Sequence, residues 1–146
     1  MTSLYDELVK VLQNEKNLLS SLYKIVSEER DAIVALQAKE LERILREKEA
    51  VLMKLSLWES ERERILEKNN LYGKSFSEII SHIEQTQDVQ RLRELYSAMK
   101  TLLTAIAEIQ KINEQLIDRS IINIGTAIKF LESFGITPKQ SLSKEA

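Results

Sequence analysis

The chain has 146 residues, of which 30% are charged and 5% aromatic, with three glycines, one proline and no cysteine. This length is typical of one domain with its own core, and the composition favours long helices. The formal charge of −2, with basic residues interleaved among glutamates, provides no positive electrostatic field that would attract nucleic acid. The lack of cysteine excludes disulfides and thiolate chemistry.

The first predicted helix spans residues 3–37, with Ser3 as its N-cap. Two positions of its apolar seam hold Glu15 and Glu29, and a buried carboxylate needs a partner. We expect each to face a lysine, an arginine or water. A metal pair is disfavoured because bundle di-metal sites use Glu-x-x-His motifs, and His82, the single histidine, follows no such glutamate. The apolar seam positions recur at heptad spacing: Leu8, Leu12, Leu19, Leu22, Val26, Ile33 and Leu36.

The helical phase slips after the first helix, because Leu36 and Leu41 are five residues apart. We expect a tight turn near Ala38–Lys39, with a continuous helix carrying a stutter as the alternative. A second helix then spans 40–69 and ends at the turn-forming sequence NNLYGKS. Its inward stripe holds the following positions: Leu41, Ile44 or Leu45, Lys48, Leu52, Leu55, Trp58 or Glu59, Arg62, Ile65 and Leu66.

A short third helix is predicted over 76–86, since Ser75 and Glu78 have the spacing of a capping box. The last helix is predicted over 89–134 and carries the longest apolar stripe of the chain. Asp88 caps its start, while Gly135 and Pro138 end it. Asn113 lies within this stripe, where it either fixes register or bonds a neighbouring backbone.

Together these elements predict an all-α fold, an elongated antiparallel helical bundle with three long helices and one short helix. A single helical-bundle domain spans 1–135, and a polar C-terminal tail spans 136–146. The first two helices would be roughly 45–50 Å long and the last about 70 Å. The last helix must therefore either bend or extend past its neighbours.

The end of the last helix is unusually apolar, because residues 120–135 contain only two charges, Lys129 and Glu132. Its apolar side chains fill an arc of roughly 180°, where a surface helix needs about 100°. Two interpretations stay open: the segment is the most buried helix of the bundle or a homodimer seam, or it is a surface for a partner protein. Gly125 lowers the helical stability of this segment. The candidate partner-binding residues are Leu116, Ile117, Ile121, Ile124, Ile128, Phe130, Leu131 and Phe134.

An enzyme is not indicated, since the sequence offers no nucleophile pair, no metal cluster and no glycine-rich phosphate loop. We assign no catalytic, cofactor-binding or metal-binding residues. His82 is interpreted as structural, because it lacks the sequence context of a phosphotransfer histidine. The N-terminus carries frequent charges, unlike a signal peptide, and no apolar run approaches the ~20 residues needed to span a bilayer. A cytoplasmic protein without membrane insertion is expected.

Two stretches resemble the FlgN family of flagellar type III export chaperones. They are EERDAIVALQAKELERILREKEAVLMKLSLWESERERIL, residues 28–66, and INEQLI, residues 112–117. The resemblance implies a cytoplasmic chaperone that holds the terminal helices of flagellar hook-associated (filament junction) proteins and delivers them to the export apparatus. It also implies that the C-terminal helix contacts the client. The ending SFGITPKQS departs from the aromatic-plus-glycine tail expected of the family.

A self-associating structural coiled-coil protein without a client is the alternative interpretation, and in that case the apolar C-terminal helix would form a homodimer. Solution mass separates the two, because a monomer with an exposed apolar surface favours the chaperone and a tight, client-insensitive dimer favours the rod.

Overall fold

The computed structural model describes the backbone of residues 2–133 and the side chains of residues 2–119. It contains four helices: α1 (Leu4–Val34), α2 (Ala38–Lys68), α3 (Phe76–Glu84) and α4 (Gln90–Ser133). No strand occurs in the part of the chain so described. The predicted all-α fold, with three long helices and one short helix, is confirmed. The predicted ends at Gly135 and Pro138 lie outside the described residues.

The first helix is the centre of the bundle, since α1 packs along its length against both α2 and α4. Lys68 of α2 lies 3.3 Å from Glu7 near the start of α1, so α2 runs antiparallel to α1. Arg91 donates a hydrogen bond to Gln13, and further along both helices Asn113 donates one to the Val26 carbonyl. The helices α1 and α4 are therefore parallel, and the three long helices run up, down and up.

The turn between α1 and α2 lies at residues 35–37 and not at the predicted Ala38–Lys39, where α2 has already begun. The N–H of Gln37 bonds the carbonyl of Ala32, and the N–H of Leu36 bonds that of Ile33. This pairing is a Schellman motif, which requires one residue in the left-handed conformation. Leu36 takes it, with φ of 55°. The predicted tight turn exists, but its position was predicted too late in the chain because leucine gives no signal for this conformation. The continuous-helix alternative is wrong.

A second Schellman motif ends α2, where Asn70 has φ of 60°. The N–H of Leu71 bonds the Leu66 carbonyl at 2.8 Å, and both side chains join the main core. The capping residues predicted for the other helices are confirmed. The hydroxyl of Ser3 accepts a hydrogen bond from the Asp6 N–H, and that of Ser75 accepts one from the Glu78 N–H. A carboxylate oxygen of Asp88 accepts from the Gln90 N–H.

Among the described side chains, residues 2–119, the core consists of one large cluster and one small cluster. The large cluster joins α1, the end of α2, α3 and the first half of α4, and the small cluster lies beneath the α1–α2 turn around Ile44. Of the alternatives for the α2 stripe, Ile44 is buried at 1% exposure and Leu45 is exposed at 47%. Leu52 is also exposed, so its predicted inward position is wrong, and Val51 packs against the core instead.

Candidate functional site

A buried polar side chain fixes the middle of α4 against α1. Asn113 is fully buried, and its Nδ2 donates to the Val26 carbonyl at 3.0 Å and to Oε1 of Glu29 at 2.7 Å. Its Oδ1 has no hydrogen-bond partner among the residues that the structure describes. Because these bonds form only at one alignment of the two helices, Asn113 sets their register. The predicted contact with a neighbouring backbone is confirmed.

Lys48 joins this site to α2. Together with Glu29, Gln110 and Asn113 it forms a polar cluster. Its Nζ lies 3.3 Å from both carboxylate oxygens of Glu29 and 2.6 Å from Oε1 of Gln110. One ammonium group thus connects all three long helices. The prediction that Glu29 faces a basic side chain is confirmed.

The other carboxylate of the α1 seam has its own cation. Arg62 of α2 donates from Nη1 to Oε2 of Glu15 at 2.5 Å. Oε1 of Glu15 is buried and has no hydrogen-bond partner within the described part of the chain. Burial raises the pKa of Glu15, against the lowering effect of the charge and hydrogen bond of Arg62, and the nearby charge of Glu59 raises it further. Glu15 therefore also meets a basic side chain, as predicted.

These polar groups connect the helices to one another. Among the described side chains, no group of three or more His, Cys, Asp or Glu residues is placed to hold a metal ion. His82 lies exposed on α3. Within the same part of the chain, no helix is long and apolar enough to cross a membrane.

The candidate partner-binding residues begin just beyond the polar cluster. Leu116 is half-buried and Ile117 is 43% exposed. The remaining candidates lie outside the described side chains: Ile121, Ile124, Ile128, Phe130, Leu131 and Phe134. The structure thus characterises the first turn of the candidate surface, and the backbone of α4 stays helical to Ser133.

The register of α4 relates its end to the rest of the bundle. Asn113 lies level with Val26 and Glu29, and α1 ends at Val34. Because α4 runs parallel to α1 and each residue adds ~1.5 Å, α4 reaches the level of Val34 at about residue 120. Continued along the same axis, the stretch to Ser133 extends about 20 Å beyond it. On that straight axis, the stretch would lie beyond the level of the turn that joins α1 and α2.

A second feature, which the sequence did not predict, is an apolar groove between α2 and α4. Its floor is α1, with Leu8 and Leu12, and its cavity measures about 570 Å³. Leu66 lies on the α2 side, and Met99 and Leu103 lie on the α4 side. We call this cavity the α2–α4 groove.

Stacked rings line the groove on the side of α3, where the rings of Phe76 and Tyr96 have centroids 3.9 Å apart and planes 7° from parallel. Towards the α1–α2 turn the lining ends at Leu103, and further along α4 the hydrogen bond from Lys48 to Gln110 bridges α2 and α4. A sequence signal for the groove exists in retrospect. Tyr96, Leu103 and Gln110 recur every seven residues along one face of α4, beside the core stripe.

Comparison with known proteins gives one family match. The family model described as FlgN protein matches residues 1–134. No curated protein and no solved structure matches the chain.

Proposed function

Because the chain belongs to the FlgN family of flagellar export chaperones, we propose that it is a cytoplasmic chaperone for flagellar hook-associated proteins. In this proposal it binds their terminal helices through the end of α4 and delivers them to the type III export apparatus. The observation that carries the choice of α4 is its length. On a straight helical axis, the α4 backbone from about residue 120 to Ser133 would lie beyond the level at which α1 ends.

The sequence of this stretch suits a helical client. Apolar residues on an arc of roughly 180° offer more contact than one bundle face requires. Amphipathic helices recognise such surfaces through anchors at i, i+3, i+4 and i+7. Burying Ile124, Ile128, Leu131 and Phe134 against a client would contribute about 1.5–3 kcal/mol each, before the costs of association.

The polar cluster supports the proposal because it anchors the part of α4 that precedes the candidate surface. It fixes α4 to α1 and α2 immediately before the candidate surface begins at Leu116. A buried hydrogen-bonded network of this kind favours one register over its alternatives. The chain can then present the end of α4 while the preceding part of the helix stays fixed.

The test is a pair of charges placed in the candidate surface. Ile128→Asp together with Leu131→Asp should abolish binding of a purified hook-associated protein in isothermal titration calorimetry. Helical content and thermal midpoint should stay close to those of the parent. Leu57→Asp is the matched control, because Leu57 is an exposed apolar residue on α2 outside the candidate surface, at 67% exposure.

Two outcomes would contradict the proposal. If the double variant unfolds, the segment belongs to the core or to a homodimer seam. If it stays folded and binds the client as the parent does, the client site lies elsewhere. A dimer in sedimentation equilibrium that added client does not dissociate would instead support the structural coiled coil.

A further inference from the structure

The α1–α2 turn exposes apolar side chains at the tip of the hairpin that the two helices form. Leu36 is 76% exposed and Val34 is 67% exposed, and neither belongs to a core cluster. Among the described side chains, Leu36 is the most exposed of the large apolar residues. One exposed leucine is ordinary in a folded protein, but this one also has an unfavourable backbone conformation.

The two Schellman motifs of the described chain differ in the residue at the left-handed position. At the end of α2 it is Asn70, with φ of 60°, and asparagine adopts this conformation readily. In the α1–α2 turn it is Leu36, whose Cβ strains the backbone at φ of 55°. Glycine or asparagine at position 36 would form the same turn with less strain and less exposed apolar surface. The requirements of folding therefore do not explain a leucine here, and retained backbone strain is typical of functional sites.

The turn lies at the same end of the bundle as the start of the candidate client surface. Asn113 of α4 is hydrogen-bonded to Val26 and to Glu29 of α1. Ile117 lies about 6 Å further along α4, which brings it within one helical turn of the level of Val34. Ile117 is itself 43% exposed. Exposed apolar side chains of α1, of the turn and of α4 thus occur at similar levels along the bundle.

The straight axis of α4 also relates the turn to a helix bound further along. Packed helices lie about 8–10 Å apart between their axes. A helix packed on α4 beyond about residue 120 would therefore take a lateral position like that of α1 or α2 lower in the bundle. Its end would then lie against the α1–α2 turn, because that turn is where the two bundle helices stop.

We propose that Val34 and Leu36 form a second contact for the client, next to the end of α4. This inference rests on the proposed function, because the occupant is the same terminal helix of a hook-associated protein. The client helix lies along the end of α4, and the apolar residues at one of its ends pack on Val34 and Leu36. Binding covers the exposed leucine, and this burial offsets the backbone strain that Leu36 imposes on the free chain.

Two substitutions remove the contact without weakening the fold. Leu36→Gly deletes an exposed side chain and relieves the strain of the positive φ. Val34→Lys places a positive charge in the last turn of α1, which has no basic residue, and such a charge is favourable near a helix C-terminus. Both variants should have a thermal midpoint at or above that of the parent. A loss of client binding in these variants therefore does not come from unfolding.

The chain offers a matched control for each substitution. Asn70→Gly changes the equivalent residue of the other Schellman motif, which is exposed at the opposite end of the bundle. Leu57→Lys changes an apolar residue with the same exposure as Val34, 67%, about 30 Å along α2 from the turn. Circular dichroism and thermal unfolding check that all four variants are folded.

The assay is isothermal titration calorimetry with a purified hook-associated protein. Leu36→Gly should weaken binding by about tenfold, because it removes one apolar side chain that the client buries. Val34→Lys should weaken binding by about tenfold or more, because it also brings a charge into the apolar contact. Asn70→Gly and Leu57→Lys should bind the client as the parent does.

Two results would overturn the proposal. The first is a Leu36→Gly variant that binds the client as tightly as the parent or more tightly, and tighter binding would show that the turn obstructs the client. The second is a parent dimer that Leu36→Gly converts to a monomer, because a second copy of the chain would then cover the turn.

Comparison with the Ile128→Asp/Leu131→Asp variant separates this proposal from the proposed function. If that double variant loses the client while Leu36→Gly binds normally, the turn contact is refuted and the site at the end of α4 stands. If Leu36→Gly weakens binding while the double variant binds normally, the turn contact stands and the site at the end of α4 is refuted. A parent that does not bind the client overturns both.

Discussion

Replacing Lys48 with methionine should strongly destabilise the fold, because the substitution leaves the Glu29 carboxylate buried without its cation. Glu29 is 4% exposed, and of its hydrogen bonds to described residues only the one from Asn113 remains in the variant. Methionine has a similar length to lysine and preserves most of the packing of its stem. The substitution therefore removes the charge with little loss of apolar contact.

The magnitude follows from the burial of the two partners. Breaking a buried ion pair by removing one member costs about 3–5 kcal/mol. The Lys48 side chain retains 17% exposure, against 5% for that of Glu29, so water can partly replace the lost ammonium group. We expect a decrease in the free energy of unfolding of about 2–4 kcal/mol. For a chain of this size this corresponds to a fall in thermal midpoint of roughly 4–16 °C.

A second substitution separates the charge effect from other causes. Glu29→Gln in the Lys48→Met background removes the unpaired charge and keeps an oxygen that can accept from Asn113. This double variant should return to within about 1 kcal/mol of the parent. Lys54→Met is the control, because Lys54 is exposed on the same helix. Urea unfolding followed by circular dichroism gives the four free energies.

The result that would refute this reasoning is a Lys48→Met variant as stable as the parent. Equal destabilisation of the single and double variants would also refute it, because the loss would then come from packing or from the hydrogen bond to Gln110.

Three further predictions concern other parts of the bundle. Because burial raises the pKa of Glu15, ionisation of its carboxyl group destabilises the folded parent as the pH rises from below 4.5 through the raised pKa. Across this range, the free energy of unfolding of Glu15→Gln minus that of the parent should therefore increase with pH in urea titrations. A difference that does not depend on pH would contradict this. Leu36→Gly should increase the free energy of unfolding by about 0.5–1 kcal/mol and so raise the thermal midpoint, because Leu36 is exposed and its φ of 55° strains a leucine backbone. A lower thermal midpoint would contradict this backbone strain. In urea unfolding, Ile44→Ala should lower the free energy of unfolding by about 2–5 kcal/mol, and Leu45→Ala should lower it by less than about 0.5 kcal/mol. Equal losses would show that Ile44 is not the inward position.

The helices could be predicted from the sequence because apolar spacing and capping residues are local signals. Ser3, Ser75 and Asp88 carry hydrogen-bonding side chains that act within a few residues, and all three do so in the structure. The α1–α2 turn was misplaced because Leu36, a residue that rarely adopts positive φ, occupies the left-handed position. On α2, Leu45 and Leu52 lie beside the inward positions, and charge-rich sequence left the phase ambiguous by one residue.

The polar partners of the seam were predictable only as residue classes. A buried glutamate requires a cation or water, but whether Glu29 meets Lys48 depends on how α1 and α2 align in space. The α2–α4 groove depends on long-range geometry altogether. It exists because α2 and α4 both pack on α1 without packing extensively on each other, and the periodicity of one helix contains no information about that separation. For the candidate surface, the structure gives the exposure of Leu116 and Ile117, and the partner-binding role of all eight candidate residues stays a prediction.

The most direct test of the proposed chaperone function is hydrogen exchange, measured on the chain alone and in complex with a purified hook-associated protein. Binding through the end of α4 predicts slower amide exchange over residues 116–134 in the complex, with the exchange of α1 and α2 unchanged. Protection confined to other helices would contradict the account, and so would the absence of any complex at micromolar concentrations.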